Sequence, residues 1–373
     1  MTKEAIFTPV GKAAEELATP KKSGKKGDSL YEKAVDLPEP TTATPAKLGL
    51  KKGQLLEMFE SMVLQRRFEE RAMQMYQKGK FGGFLHLYIG QEAVSTGTTA
   101  ALKDDDDIIT AYRDHGWGLV RGVSARQGMA ELFGKATGCS KGKGGSMHFA
   151  NVEKHFWGGY GIVGGHIPLG GGLAFANKYK GLDRLTTCFM GDGAVDQGAL
   201  HETMNMAQLW KLPIMFIVEN NGYAMGTATR RHSTGELWER ALGYGMKHRV
   251  VNGMDVLSVY EAMKEMATDV RKDSMPWFVE IRTYRYRGHS MSDPQKYRDK
   301  EEMEEFQSLD PIERLKTVLL DKKMATQKAI DAIYEKVEEE VMDAVEFADN
   351  SPFPEDSALY EDMYSEPNPV FHR

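Results

Sequence analysis

The chain has 373 residues, enough for two or three domains of ordinary size or for one large α/β domain. Apolar residues make up 41% of it, and 54 acidic against 48 basic residues leave a net charge of −6. This composition excludes wholesale disorder and provides no basic field for nucleic acid. The longest apolar run, 214–218, is far too short to cross a membrane, and two cysteines cannot build a disulfide framework.

Residues 1–47 mix Pro, Thr, Ser and Ala with lysine pairs and show no hydrophobic period. We expect them to form a disordered N-terminal arm. Transit peptides are rich in arginine and poor in acids, whereas here Glu4 comes early and the first arginine is Arg66. The arm is therefore not expected to be a targeting segment.

The residues after the arm carry the periodicities of a folded protein. Apolar residues at 55, 58, 59, 62 and 63 predict a surface helix that opens the folded part. Between 82 and 226, short apolar runs alternate with helical patterns in a glycine-dense stretch, which is typical of a parallel α/β sheet. We predict an α/β fold over 48–300, an open and mostly parallel sheet with helices on both faces.

The last part, 301–373, is predicted to be a helical C-terminal region and tail. Asp310 can cap a helix that has Pro311 at its first position. A second helix is predicted over 329–347, where the pattern is amphipathic and acidic.

One βαβ unit carries the clearest chemical pattern. The strand-like run 185–190 ends in Gly-Asp-Gly with Asp192 at its centre, and after a helical segment the run 214–218 leads to Asn221. Parallel strands joined by one crossover place both residues at the same sheet edge, where open α/β sheets bind ligands. A carboxylate and an amide oxygen suit Mg²⁺ that also binds phosphate oxygens. The unit therefore predicts a magnesium-bridged diphosphate, although each half alone is an ordinary turn signal.

The same pattern resembles the cofactor signature of thiamine diphosphate enzymes. Five further segments are similar to the alpha subunits of the pyruvate dehydrogenase type within the thiamine diphosphate-dependent 2-oxo acid dehydrogenases. They are GFLHL at 83–87, AYRDHG at 111–116, KGKGGSMH at 141–148, GIVG at 161–164 and RGHSMSDP at 287–294. The resemblance extends from about residue 50 to 350 and implies the thiamine diphosphate-binding fold for the α/β domain.

The resemblance also implies a role for individual residues. The implied cofactor contacts are Tyr112, Arg113, Gly161, Val163, Asp192, Gly193, Ala194, Asn221, Tyr223 and His289. Among them Asp192, Asn221 and the backbone carbonyl of Tyr223 would bind Mg²⁺. The fork of the Arg113 guanidinium suits phosphate oxygens, and the alternative is a surface pair with Asp114.

Ten histidines are present, and a single histidine is more often structural than catalytic. We expect structural roles for His155, His201, His232, His248 and His372. The resemblance implies that His289 lies on a loop over the cofactor and transfers protons, because an imidazole titrates near neutral pH. His86 matches a second catalytic histidine, and His115 is a third candidate.

The implied reaction is oxidative decarboxylation of a 2-oxo acid, followed by reductive acylation of the lipoyl group on a dihydrolipoyl acyltransferase component. The loop 290–294 favours pyruvate and the acetyltransferase, while branched-chain 2-oxo acids and acetoin remain alternatives. Ser290 matches a serine that mitochondrial relatives phosphorylate, but two other such positions are absent, since 293–297 lacks its serine and Ala228 replaces the other. We therefore expect a bacterial cytoplasmic enzyme over a mitochondrial or plastid one.

The sequence has no signature for the glutamate that activates the cofactor, and in two-gene relatives the beta subunit supplies it. An α2β2 heterotetramer is therefore expected, with the surface around 161–172 against the partner. Small residues there are expected to allow close approach of helices, namely Gly170, Gly171, Gly172, Ala174 and Ala176.

Two other classes of function remain open at this point. Residues 159–164 satisfy the G-x-G-x-x-G fingerprint of nicotinamide-dependent oxidoreductases, but we expect no strand before them and Asp183 precedes the next strand. A non-catalytic regulatory subunit is suggested by the acidic helix, but such a subunit need not keep Asp192, Asn221 and His289.

Overall fold

A computed structural model describes residues 34–364, so residues 1–33 of the predicted arm lie outside the described part. The remainder of that arm, 34–47, lies against the folded chain. Val35 is buried, and the side-chain amide of Asn252 donates to the carbonyl of Pro38 at 2.7 Å. The proposed division at residue 300 stays a prediction.

Helices and strands alternate along the chain. The first half contains α1 (Lys52–Gln77), α2 (Glu92–Ala101), β1 (Asp107–Ala111), α3 (His115–Val120), α4 (Ala125–Leu132), β2 (Phe156–Tyr160), α5 (Ile167–Tyr179) and β3 (Thr186–Gly191). The second half contains α6 (Gly198–Trp210), β4 (Ile214–Asn220), β5 (Tyr223–Ala224), β6 (Thr227–Ala228), α7 (Thr229–His232), β7 (Lys247–Asn252), α8 (Val256–Asp273), β8 (Trp277–Arg282), α9 (Lys300–Gln307), α10 (Pro311–Asp321) and α11 (Gln327–Asn350).

Six strands form one sheet in the order β2-β1-β3-β4-β8-β7, and every neighbouring pair is parallel. The predicted α/β class is confirmed, and β3, α6 and β4 are the predicted βαβ unit. Because all six strands point the same way, their carboxyl ends form a single edge. The loops that leave this edge therefore converge.

Helices cover both faces of the sheet, as predicted. Along β4, Met215 and Ile217 belong to one buried apolar cluster, whereas Ile214, Phe216 and Val218 belong to a second one on the opposite face. This alternation follows from the two-residue period of a strand. It shows in packing terms that the sheet is buried from both sides.

The helix predicted to open the folded part is α1, and the five apolar positions that predict it, 55, 58, 59, 62 and 63, are buried. Phe68 is also fully buried, because α10 and α11 pack over α1. The carboxylate of Asp310 caps α10 as predicted, accepting from the backbone of Ile312 at 2.9 Å. Residues distant in sequence thus turn an amphipathic helix into a core element.

The small residues of α5 do not all face outward, contrary to expectation. A Cβ added to Gly170 would lie 3.0 Å from Cys188 of β3, and one on Gly171 would lie 2.7 Å from Thr203 of α6. These glycines allow α5 to pack closely within its own chain, while Gly172 faces open space. Across 34–364, every helix is too short or too polar to span a bilayer.

Candidate functional site

Most of the predicted site residues line one cavity at the carboxyl edge of the sheet, with a volume of about 250 Å³. Each follows the end of a strand or lies in a loop above one. The predicted residues in its wall are Tyr112, Arg113, Val163, Asp192, Gly193, Ala194, Asn221, Tyr223 and His289. Gly161 and His86 are not part of the wall.

Oxygen atoms from the ends of β3 and β4 face this cavity. Asn221 Oδ1 and the carbonyl of Tyr223 both accept from Nη1 of Arg285, at 3.5 and 3.3 Å. Asn221 donates its amide nitrogen to Gln91 at 3.0 Å, which fixes the orientation of the amide. The two oxygens therefore converge on a position that a positively charged group occupies.

Asp192 supplies the carboxylate of this region and is buried. Its Oδ2 accepts from the hydroxyl of Thr229 at 3.0 Å and contacts Nε2 of His232 at 3.2 Å. Residues 34–364 contain no group of three His, Cys, Asp or Glu side chains arranged to hold a metal by themselves. A cation held by Asp192 and Asn221 would need further oxygens from a bound ligand.

Two buried arginines, Arg113 and Arg285, also line the cavity. Arg113 donates to the carbonyls of Leu87 and His289 at 2.6 and 2.9 Å, so its hydrogen-bond partners in the described chain are uncharged. Burial and the charge of Arg285 lower the pKa of Arg113 to about 10. Two cations without carboxylate partners favour an anionic ligand.

The alternative surface pair of Arg113 with Asp114 is wrong. Asp114 is fully buried, and its carboxylate accepts from the backbone of Phe149 at 2.8 Å. Arg113 instead points toward the cavity and bridges two loops.

The two predicted catalytic histidines lie together, with His289 in the cavity wall and His86 behind it. The ring of His86 is 5.1 Å from that of His289 and 4.7 Å from that of Tyr112. Burial and the nearby Arg113 lower the pKa of His86 to about 2 and that of His289 to about 4. Both rings are neutral near pH 7, and Nδ1 of His86 is buried with no hydrogen-bond partner among the described residues.

His115, the third candidate, lies outside the cavity wall. It is fully buried, with Nδ1 at 2.9 Å from Glu69 and Nε2 at 2.9 Å from the hydroxyl of Ser146. Burial alone would lower its pKa, but the charge of Glu69 raises it above the ordinary value. Its position is that of a structural residue.

Comparison with known proteins decides the family, because the dehydrogenase E1 component family matches residues 60–357. The chain belongs to this family. It is 46% identical over 314 residues to "Pyruvate dehydrogenase E1 component subunit alpha" of Rickettsia bellii, covering 84% of this chain and 96% of the relative. Identity is 49% to the Rhizobium meliloti protein of that name, with coverage of 87% and 96%. A chloroplastic Arabidopsis thaliana relative, subunit alpha-3, is 44% identical over 88% and 78%.

Membership of the E1 family confirms the resemblance drawn from the motifs, and this family is thiamine diphosphate-dependent. It also removes the nicotinamide alternative, although one premise used against that alternative was wrong. Strand β2 does precede the glycine motif and ends at Tyr160. Its five residues include two glycines, so its sequence carries little strand signal.

Sequence reasoning missed several residues of this cavity. Arg285 and Gln91 line the cavity and contact Asn221, and His232, which was expected to be structural only, contacts Asp192. Arg285 had a signal, since it lies two residues before the segment 287–294 that carries part of the resemblance. Glu219, at the end of β4, also lines the cavity; burial raises its pKa to about 7, and the hydroxyl of Tyr88 donates to it at 2.5 Å.

Proposed function

We propose that this chain is the alpha subunit of a pyruvate dehydrogenase first component. With a beta subunit it would catalyse the thiamine diphosphate-dependent oxidative decarboxylation of pyruvate and acetylate the lipoyl group of a dihydrolipoyl acetyltransferase component. The names of the relatives described above support this proposal. The observation that carries it is the pair of buried guanidinium groups that form no ion pair within residues 34–364 and lie in one cavity with Asp192 and Asn221.

These residues fit a magnesium-bound diphosphate. Asp192, Asn221 and the carbonyl of Tyr223 would hold Mg²⁺. The ion would then replace Arg285 as the positive partner of the Asn221 and Tyr223 oxygens. Arg113 would balance phosphate charge, and the hydroxyl of Tyr112 can donate to the same oxygens.

The turn after β3 brings backbone groups to the same position. Gly193 lies so close to Ala224 that an added Cβ would approach the Ala224 methyl to 2.7 Å. Only glycine therefore allows the turn to pack there, with Ala194 following it on the cavity wall. We expect the backbone of both residues to contact the diphosphate.

Thiamine diphosphate, when bound, accepts the electron pair released as carbon dioxide leaves a 2-oxo acid. The neutral rings of His86 and His289 would accept and return protons at the reacting end. Backbone groups of Gly161 and Val163 would orient the aminopyrimidine; a Cβ on Gly161 would lie 3.6 Å from the ring of His148, so protein atoms leave room there. Burial and the nearby Arg113 keep both rings neutral at neutral pH, which is the form that can accept a proton.

Exposed apolar side chains on α5 and α6 form a candidate partner surface. Phe175 is within 6.1 Å of Tyr179 and 5.7 Å of Trp210, ring centre to ring centre, and all three are exposed. Ile162, which precedes α5, and Val163, which lines the cavity, are 78% and 43% exposed. Exposed apolar patches often mark protein interfaces.

We propose that the beta subunit covers this face in an α2β2 heterotetramer and supplies the activating carboxylate. In the cavity wall of the described chain the carboxylates are Asp192 and Glu219. The first would hold the metal and the second accepts from Tyr88. Neither is left to activate the aminopyrimidine.

The decisive test is carbon dioxide release from pyruvate, branched-chain 2-oxo acids and acetoin, measured for the chain alone and with its cognate beta subunit. We expect activity only in the mixture and mainly with pyruvate. A preference for a branched-chain acid or acetoin would show that pyruvate is not the main substrate. Activity of the chain alone would refute the proposed α2β2 assembly. Two of the three relatives named above are bacterial, which supports a bacterial cytoplasmic site; fractionation of source cells checks it.

A further inference from the structure

The segment 138–148, here called the glycine loop, is wrapped around one buried side chain. Glu131, at the end of α4, is fully buried. Its Oε2 accepts from the backbone of Ser140 and Gly142 at 2.8 and 2.9 Å, and its Oε1 accepts from Gly144 and Gly145 at 2.8 and 3.0 Å. Converging backbone amides normally form an anion site, and here the anion is a carboxylate of the chain itself.

The glycines of the loop follow from this wrapping. Gly142 and Gly145 have φ values of +75° and +62°, which other residues adopt at a cost. A Cβ on Gly138 would lie 2.7 Å from Cα of Glu131. The glycine-rich motif is thus explained by a tight turn around Glu131, and its amides are not free to bind phosphate.

The far end of the glycine loop contacts the backbone of His86. The hydroxyl of Ser146 accepts from the backbone N–H of His86 at 3.1 Å and contacts Nε2 of His115 at 2.9 Å. His86 in turn lies ring to ring with His289 and Tyr112. A displacement of the loop would therefore move His86.

From these contacts we infer that Glu131 is a positioning residue: it sets the glycine loop and, through Ser146, the place of His86. The kinetic consequence rests on the function proposed above, while the structural one does not. Asp192 and Asn221 follow β3 and β4, and neither takes part in the contacts of the glycine loop described above. The expected effect is accordingly on turnover and not on cofactor affinity.

The test replaces one oxygen of Glu131 in the assembled enzyme. In E131Q the amide oxygen still accepts one pair of loop N–H groups, but the NH₂ group opposes the other pair. Hydrogen–deuterium exchange should accelerate roughly tenfold or more at either 140 and 142 or at 144 and 145, and also at the backbone of His86. The control E153Q makes the same change at an exposed glutamate and should leave exchange unaltered.

A second variant, S146A, cuts the link between the loop and His86 and leaves Glu131 intact. Peptide 84–90 should lose protection while 138–145 keeps it, and kcat should fall about tenfold in both variants with the thiamine diphosphate Kd unchanged.

Full protection of the loop in E131Q, or of His86 in S146A, overturns the inference. If E131Q does not assemble, S146A decides: unchanged exchange and kcat overturn it. Exchange is measured without substrate, so a wild type inactive on pyruvate refutes the proposed function alone.

Discussion

Within residues 34–364, the cavity contains buried charge without a partner charge, whereas the face formed by α5 and α6 contains exposed apolar surface without a cover. In the cavity, Arg113 and Arg285 are charged and buried, whereas on the face Phe175, Tyr179 and Trp210 are apolar and exposed. The first imbalance is electrostatic and is relieved by an anion; the second is hydrophobic and is relieved by a partner's surface. The contrast teaches that the chain leaves two places incompletely satisfied, and that they require different molecules.

The largest expected effect is on cofactor affinity and tests the role of the cavity. Asp192→Ala removes the carboxylate beside the convergent oxygens, and we expect affinity for thiamine diphosphate with Mg²⁺ to fall at least about a hundredfold. The control is Asp196→Ala, which removes the other carboxylate that contacts His232, at 2.7 Å, but lies outside the cavity wall. Calorimetry on the assembled enzyme measures both, and equal affinity for the Asp192 variant and wild type would refute the metal assignment.

The face is tested by Phe175→Ala, which removes the ring at the centre of the aromatic group. Aromatic anchors of interfaces contribute about 2 kcal/mol, so subunit affinity should fall about thirtyfold. Leu309→Ala, at a 40% exposed position between α9 and α10, is the matched change elsewhere. Sedimentation of mixed subunits checks this, and tetramers of undiminished stability in the Phe175 variant would place the partner on another surface.

A third prediction compares two buried arginines. Arg113→Met should weaken cofactor binding about tenfold but cost little stability without cofactor, because Arg285 repels the charge it removes. Arg121 instead lies among carboxylates and donates to the carbonyls of Asp104, Asp106 and Lys154. Arg121→Met should lower the free energy of unfolding by about 1–2 kcal/mol more than Arg113→Met does, and should leave the cofactor affinity unchanged.

Denaturant unfolding of the cofactor-free chains decides this comparison. Equal destabilisation by the two arginine variants would show that the two guanidinium groups of the cavity do not repel each other.

The smallest effect concerns pH. Unfolded histidines bind protons below about pH 6.5, whereas folded His289 does so only near pH 4, because burial and Arg113 lower its pKa. The unfolded state therefore binds more protons between these values, and stability falls as the pH falls through this window. At pH 5.5 the loss from His289 should be under about 1 kcal/mol, reduced by solvent screening. Unfolding of His289→Gln at pH 7 and 5.5 should show a shallower decline than wild type; an identical decline would contradict the assigned shift.

Where local pattern and tertiary packing agree, sequence reasoning succeeded. The run 185–190 and the run 214–218 became β3 and β4 within one or two residues, and Asp310 caps α10. Each depends on neighbours in sequence, such as a short apolar run or a capping carboxylate. Strand β2 was missed because its two glycines weaken the pattern, and the cover of α1 by α10 and α11 was not predictable because it comes from residues distant in sequence.

The sequence by itself determined the α/β class, the family and the residues that leave the carboxyl ends of the strands, since strand direction and chain order follow from local periodicity. Only the tertiary structure decided which side chains those residues meet. Arg285 reaches the oxygens of Asn221 and Tyr223, and Glu131 gathers the glycine loop, through contacts whose geometry no spacing rule specifies. Burial decided the rest, because it lowers the pKa of His86 and His289 and leaves two guanidinium groups facing a cavity without carboxylate partners.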